Sequence, residues 1–182
     1  MFTPKQVIEL WDKYGLNDEV RRHCIKVAEV ALKIADSVEK NGVSIDKEAV
    51  LVGALLHDIG RVITHNPFLH FIKSAEILRK EGFDEKIVRI AERHFSAGLD
   101  EQDAEKLGLS PKNYMPETLE EKIVSFADNL VFGDKEGSFS DFMKRLDEID
   151  RKNGKLKWLT EKTRVRALKI KEELEALSGL RF

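Results

Sequence analysis

Cysteine is almost missing from this chain: Cys24 stands alone among 182 residues. One thiol cannot close an internal disulfide, so a reducing cytoplasm is the expected setting. Long apolar runs are missing too. No stretch approaches the length that spans a bilayer, and Met1 to Leu10 lacks the apolar core of a secretory signal. Neither sign of charge dominates, since 31 basic and 33 acidic residues leave a formal net charge of −2. That balance speaks against a protein that coats nucleic acid or adheres to membranes through a polybasic face. Glutamine is confined to Gln6 and Gln102. Its scarcity beside abundant Lys, Glu and Arg leans toward a thermophilic source. Internal repeats, low-complexity tracts and sustained two-residue alternation are absent as well. Gly133 to Gly137 holds no Gly-Lys-Ser/Thr phosphate loop.

What the chain does have is an apolar rhythm of three- and four-residue steps from end to end, which predicts an all-α fold. At 182 residues the simplest organisation is a single helical domain with a substantial core. Pro4 opens a first helix that Gly15 stops. Asn17 or Asp18 caps a second, with a stripe of Val20, Cys24, Val27, Ala31, Ile34 and Val38. Asp46 caps a third, which ends near His57-Asp58. Leu69 to Leu78 and the stretch from Asp84 to His94 give two more. Between His94 and Pro116 the pattern breaks into a long loop with room for one short helix, able to form a wall or lid. Thr118 to Glu121 reads as a capping box for the next helix. Two helices, from about Ser140 to Lys152 and from about Thr160 to Leu177, complete the chain. The last is rich in Lys, Arg and Glu, and is expected to pack peripherally on the core or to pair with a second copy in a homodimer.

The His57-Asp58 pair sits where the most apolar helix ends. Polar groups in such a place are costly unless something binds them, and imidazole with carboxylate is a common donor set for divalent metals. His23, His70 and His94 lie on other helices. Asp128 lies inside an apolar one, where an unpaired carboxylate is rarely tolerated. Each alone reads as a satisfied core histidine or a salt-bridged acid. Together, around a His-Asp pair, they read better as one shared metal site. Cys24 falls in the apolar stripe beside His23 and is expected to be buried and inert. His65, beside Asn66-Pro67, is expected at the surface or in a pocket and not as a ligand.

These residues resemble the HD-domain metal-dependent phosphohydrolases. His23, then His57-Asp58, then Asp128 follow the family's His…His-Asp…Asp order, and the local texts Leu55-Leu56-His57-Asp58-Ile59-Gly60-Arg61, Ser74-Ala75-Glu76-Ile77-Leu78 and Phe126-Ala127-Asp128 match. The likeness spans roughly His23 to Val131 and is nearest to the small stand-alone archaeal members. It implies a helical metal-binding core over about residues 18–132, with the helices of 139–178 packed on it. It also implies that His23, His57, Asp58 and Asp128 hold one divalent cation. Members with two metals add histidines after the His-Asp pair. His70 and His94 fall where those would lie, and Asp58 would bridge the two ions. The family's cyclic-dinucleotide enzymes carry Gly-Tyr-Pro after the matching histidine. Here Phe95-Ser96-Ala97-Gly98 follows His94, which sets this chain apart from that specificity.

The implied activity is hydrolysis of a phosphomonoester or phosphodiester of a small molecule, a nucleotide before all, by metal-activated water. Asp58 and His57 are the central residues of that reaction. Arg61, Lys73 and Arg93 flank ligand positions and are candidates to bind phosphate oxygens, although such cations on helices are usually only solvated. Mixed nitrogen and oxygen ligands suit Mn, Fe, Co, Ni, Zn or Mg. Two other classes share the ligand pattern: a di-iron oxygenase and a non-catalytic, metal-stabilised binding module. The near-neutral charge predicts no extended surface for nucleic acid.

Overall fold

The computed structural model describes residues 3–182 and is built from helices. Helix α1 (Pro4–Tyr14) starts in a capping box between Thr3 and Gln6 and ends at Gly15, whose φ of 67° is left-handed. Asn17, not Asp18, caps α2 (Asp18–Lys40), its side chain accepting from the Val20 amide. Asp46 caps α3 (Lys47–Leu56). Helix α3 is apolar on nearly every side because it is covered on nearly every side: it packs on α2, on α5 (Glu85–Glu92) and on α7 (Leu119–Leu130).

The chain leaves α3 through a 3-10 turn over Ile59–Val62, which abuts α4 (His70–Lys80). Gly60 makes that contact possible. A Cβ there would overlap the His70 carbonyl oxygen and the Ser74 amide, while the Gly60 amide donates to Ser74 Oγ at 2.8 Å. The Gly60 and Ser74 of the recognised local texts therefore act as one device, which sets the His57-Asp58 corner against the helix that carries His70.

Between α5 and α7 the expected short helix exists as α6 (Glu101–Lys106). A two-residue hairpin, β1 (Val131–Phe132) against β2 (Lys135–Glu136), follows α7. It was not legible beforehand, because two-residue strands are too short to show alternation. Helix α8 (Phe139–Lys152) begins in a Ser138/Asp141 capping box. A 3-10 turn at Gly154–Leu156 leads into α9 (Lys157–Ser178). Helix α9 starts three residues before the expected Thr160. It lies against α2 and α7, burying Ala167, Ile170 and Leu174, while Leu159 joins a separate cluster with Phe71, Leu99 and Tyr114. No helix among the described residues is long and apolar enough to cross a membrane.

Candidate metal centre

Five helices deliver six side chains to one point, each from within about two turns of a helix end. His23 comes from α2, His57 and Asp58 from the end of α3, His70 from the first turn of α4, His94 from just beyond α5, and Asp128 from α7. His57, Asp58, His70 and His94 are buried, and His57 is fully so. Local bonds fix the orientation of each imidazole. Nδ1 of His23, His57 and His94 lies 2.6 Å from the carbonyl of Gly133, Ala54 and Ala91 respectively. Nδ1 of His70 lies 3.3 Å from that of Asn66. A carbonyl only accepts, so each Nδ1 carries the proton and donates it. Each Nε2 then turns a lone pair inward.

Apart from Arg61, which donates to Asp58 Oδ2, the inward-facing atoms meet one another. His23 Nε2 stands 2.9 Å and His57 Nε2 3.4 Å from Asp128 Oδ1, and both stand 3.8 Å from Asp58 Oδ2. His70 Nε2 and His94 Nε2 lie 3.1 and 3.4 Å from Asp58 Oδ1 and 3.0 Å from each other. The arrangement divides at Asp58: one oxygen faces His23, His57 and Asp128, the other faces His70 and His94. His57 Nε2 and Asp58 Oδ1 are buried without a hydrogen-bond partner. Acceptors packed against acceptors are stable only if protons or cations lie among them. Groups of three donors within 4.8 Å of one another can hold a metal ion on either side of Asp58. The residues thus fit the divalent ion that the sequence implied.

The electrostatics agree. Burial alone would push the Asp58 carboxyl up, but His57, His70 and His94 hold it well below the usual carboxylate range. Asp128 is held down in the same way by His23 and His57, against its burial. Burial disfavours charge on His57, yet Asp58 and Asp128 raise it well above an ordinary imidazole. For His94 burial wins and the value falls. The cluster demands positive charge, and in the absence of metal Arg61 and histidine protons supply it. Cys24, fully buried, has its thiol pushed up by burial, as an inert core sulfur should.

The centre opens into a cleft of about 570 Å³. Arg61 lies on its wall, and its Nε donates to Asp58 Oδ2 at 2.7 Å. Exposed His65 lines the cleft as a pocket residue. Two expected phosphate-binding cations lie elsewhere. The Lys73 ammonium pairs with Glu76 at 2.8 Å on the outer face of α4, and Arg93 is held by Glu117 and Glu121. Neither lines the cleft. The long segment after His94 is also no free lid, since only Phe95 and Ser96 of it border the cleft. Asp100 and Asp103 tie the rest to Lys162 and Arg166 of α9.

Sequence reasoning missed the opposite wall. Phe142, Arg145, Leu146 and Ile149 of α8, with Leu156, Leu159, Thr160 and Thr163, form it. The i, i+3, i+4, i+7 spacing on α8 was the available signal. Ser96 was missed as well. It has a φ of 56°, uncommon for a residue other than glycine. The strain is held by Ser125 and Asn129 donating to its carbonyl, and by a 3.0 Å contact between its hydroxyl and that of Thr163.

Fold and site together define a helical protein with a His/Asp centre able to bind divalent metal. A family model described as HD domain matches residues 20–133, which contain all six of these side chains, and the chain belongs to that family. It is 47% identical over 137 residues to an uncharacterized protein of Methanocaldococcus jannaschii, covering 75% of this chain and 80% of that one. A tRNA (cytidine(56)-2'-O)-methyltransferase of Picrophilus torridus is 42% identical over 174 residues, covering 96% of this chain but 47% of the relative. A protein of the same name from Thermoplasma volcanium is 45% identical over 128 residues, covering 70% and 36%. This chain thus spans less than half of those two relatives. Among solved structures, the HD domain of L. monocytogenes phosphodiesterase PgpH superimposes with a TM-score of 0.56 at 18% identity, covering 97% of this chain and 99% of that one. The same domain in complex with cyclic-di-AMP gives 0.50, also at 18%, covering 90% and 93%.

Proposed function

We propose that this chain is a metal-dependent phosphohydrolase that cleaves a phosphomonoester or phosphodiester of a small molecule, a nucleotide before all. One observation carries the reading. Two sets of inward-facing lone pairs share the two oxygens of Asp58, at the inner end of a cleft of about 570 Å³, a size that suits a small organic ligand. Metal bound there would lower the pKa of a water toward about 7 and so supply hydroxide near neutral pH.

The protein's own part follows from its bonds. The carbonyls on Nδ1 lock each imidazole in the tautomer that leaves Nε2 free to coordinate. Asp58 offers one oxygen to each side and is steadied by Arg61 Nε. The terminal amines of Arg61 remain available to a non-bridging phosphate oxygen. The apolar wall of α8 and α9 keeps bulk water from the ester, which strengthens these interactions. His65 at the mouth is spare. In the two relatives named as tRNA methyltransferases a stretch like this chain is joined to further sequence.

The test is elemental analysis of protein purified without chelator, followed by assays with nucleoside monophosphates, cyclic nucleotides, triphosphates and oligonucleotides under several divalent metals. Loss of phosphate from a small nucleotide is the expected result. Salt-sensitive cleavage of oligonucleotides alone would replace the substrate class, and inactivity of fully loaded protein across the panel would overturn the hydrolase reading.

A further inference from the structure

The cleft has a second wall that the metal centre does not explain. Helix α8 and the start of α9 build it, and both lie outside the residues matched by the family model. Phe142, Arg145, Leu146 and Ile149 line the cleft along one face of α8. A guanidinium therefore occupies a position in a stripe that is otherwise apolar. Among the described residues the exposed Arg145 has no ion-pair partner, whereas the less exposed Arg61, Arg164 and Arg166 are each held by an aspartate. Its guanidinium lies 5.3 Å from the centroid of the Phe132 ring. Phe132 precedes Gly133, whose carbonyl accepts from His23. The ring thus holds a permanent positive charge on the His23 side of the cleft. Glu19 also lines the cleft without an ion-pair partner among the described residues, so the wall is not a general cationic funnel.

We propose that Arg145 forms a second anion subsite, and that the substrate is a nucleotide-like phosphoester carrying a further phosphate. The inference rests on the phosphohydrolase reading and narrows its substrate. One phosphate would meet the His/Asp centre. The flat base would lie along Leu146, Ile149 and Leu159, where burial favours an apolar surface. The second phosphate would meet Arg145, whose planar fork binds two phosphate oxygens at once. A plain monoester leaves that cation unused.

Calorimetry on manganese-loaded protein separates the cases, with adenosine 3′,5′-bisphosphate and adenosine 5′-monophosphate as probes. The wild-type protein is expected to bind the bisphosphate about tenfold more tightly. Arg145→Gln should bring the two ligands within about twofold, with metal content and monophosphate affinity unchanged, and Arg145→Lys should restore part of the preference. The subsite is overturned if Arg145→Gln keeps the preference, if it weakens both ligands equally, or if the wild-type protein shows no preference or no binding. The readout is binding, so the two ideas fail separately. A protein that prefers the bisphosphate yet hydrolyses nothing keeps the subsite and loses the hydrolase. One that hydrolyses without preference does the reverse.

Discussion

Among the buried carboxylates of the described residues, Asp103 and Asp58 solve the problem of buried charge in opposite ways. Asp103, at 1% exposure, receives Lys162 at 2.5 Å and Arg166 at 2.7 Å. Its carboxyl is held below the usual range by these cations although burial pushes it up. Asp58, at 2% exposure, receives one arginine Nε and otherwise faces imidazole lone pairs, with Oδ1 unpartnered. The first cluster is complete and pins α6 to α9. The second is incomplete as a protein structure and complete only with a cation. Burial of an acid therefore distinguishes nothing by itself. What marks a site is the sign of the groups that face the acid.

Substitution at the two aspartates should break this contrast most sharply. Asp58→Ala is expected to abolish metal binding and hydrolysis while circular dichroism stays helical, because Asp58 serves both donor sets and packs in neither core. Full metal content in that variant would refute the site. Asp103→Ala should instead keep metal and cost about 1–2 kcal/mol of stability, since Lys162 and Arg166 lose their buried acceptor and keep only the more exposed Asp100; denaturant unfolding reads this directly. Gly60→Ala comes next. Its methyl would strike the His70 carbonyl oxygen and the Ser74 amide, so about 1–3 kcal/mol of overpacking cost is expected, together with weaker metal binding on the His70 side. Unaltered stability and stoichiometry would show that the turn over Ile59–Val62 does not set that distance. His70→Ala with His94→Ala should lower metal stoichiometry from two to one and spare the set of His23, His57 and Asp128. An unchanged metal count would mean that these two histidines only line the pocket.

The same contrast explains what could be read from the sequence. Helices were legible because their apolar faces repeat. The six inward-facing residues were legible because polar groups at the ends and middles of apolar helices are conspicuous. The hairpin after α7 was too short to leave a pattern, yet its Gly133 carbonyl orients His23. Lys73 and Arg93 were singled out by adjacency along the chain. Arg93 directly precedes His94, and a helical neighbour in sequence points about 100° away; Lys73, three residues after His70, is drawn aside to Glu76, so lying near a ligand along the chain does not place a residue in the site. The cleft's far wall is made by α8 and α9, and no local rule says which distant helix face will close over a site.

The completed cluster also makes a prediction about acid. Asp103 has a depressed carboxyl value in the fold. Its contribution is therefore present above the value of an unfolded aspartate, about 4, and is lost as pH falls through the lower folded value. The gap in Tm between the wild-type protein and Asp103→Asn should be full at pH 7 and should close only below about pH 4. A gap independent of pH would show that Asp103 acts through packing or neutral hydrogen bonds and not through charge.

The smallest expected effect belongs to Lys73, and it tests whether chain adjacency or spatial arrangement governs the site. Its ammonium lies 2.8 Å from Glu76 on the same helix, with the Glu76 side chain 54% exposed. A pair of that kind, open to water and three residues apart, contributes at most about 1 kcal/mol. Lys73→Ala should therefore change stability by less than about 0.5 kcal/mol, and leave kcat, KM and metal content as they were. Arg61→Ala is the matched control. Arg61 is also three residues from its carboxylate partner, but that partner is Asp58 and the guanidinium lies on the cleft wall. Its loss should raise KM or lower kcat by roughly tenfold or more, the scale of one charge-assisted phosphate contact. Should Lys73→Ala prove as damaging as Arg61→Ala, the cleft would have to reach the outer face of α4, and its geometry as described would be wrong.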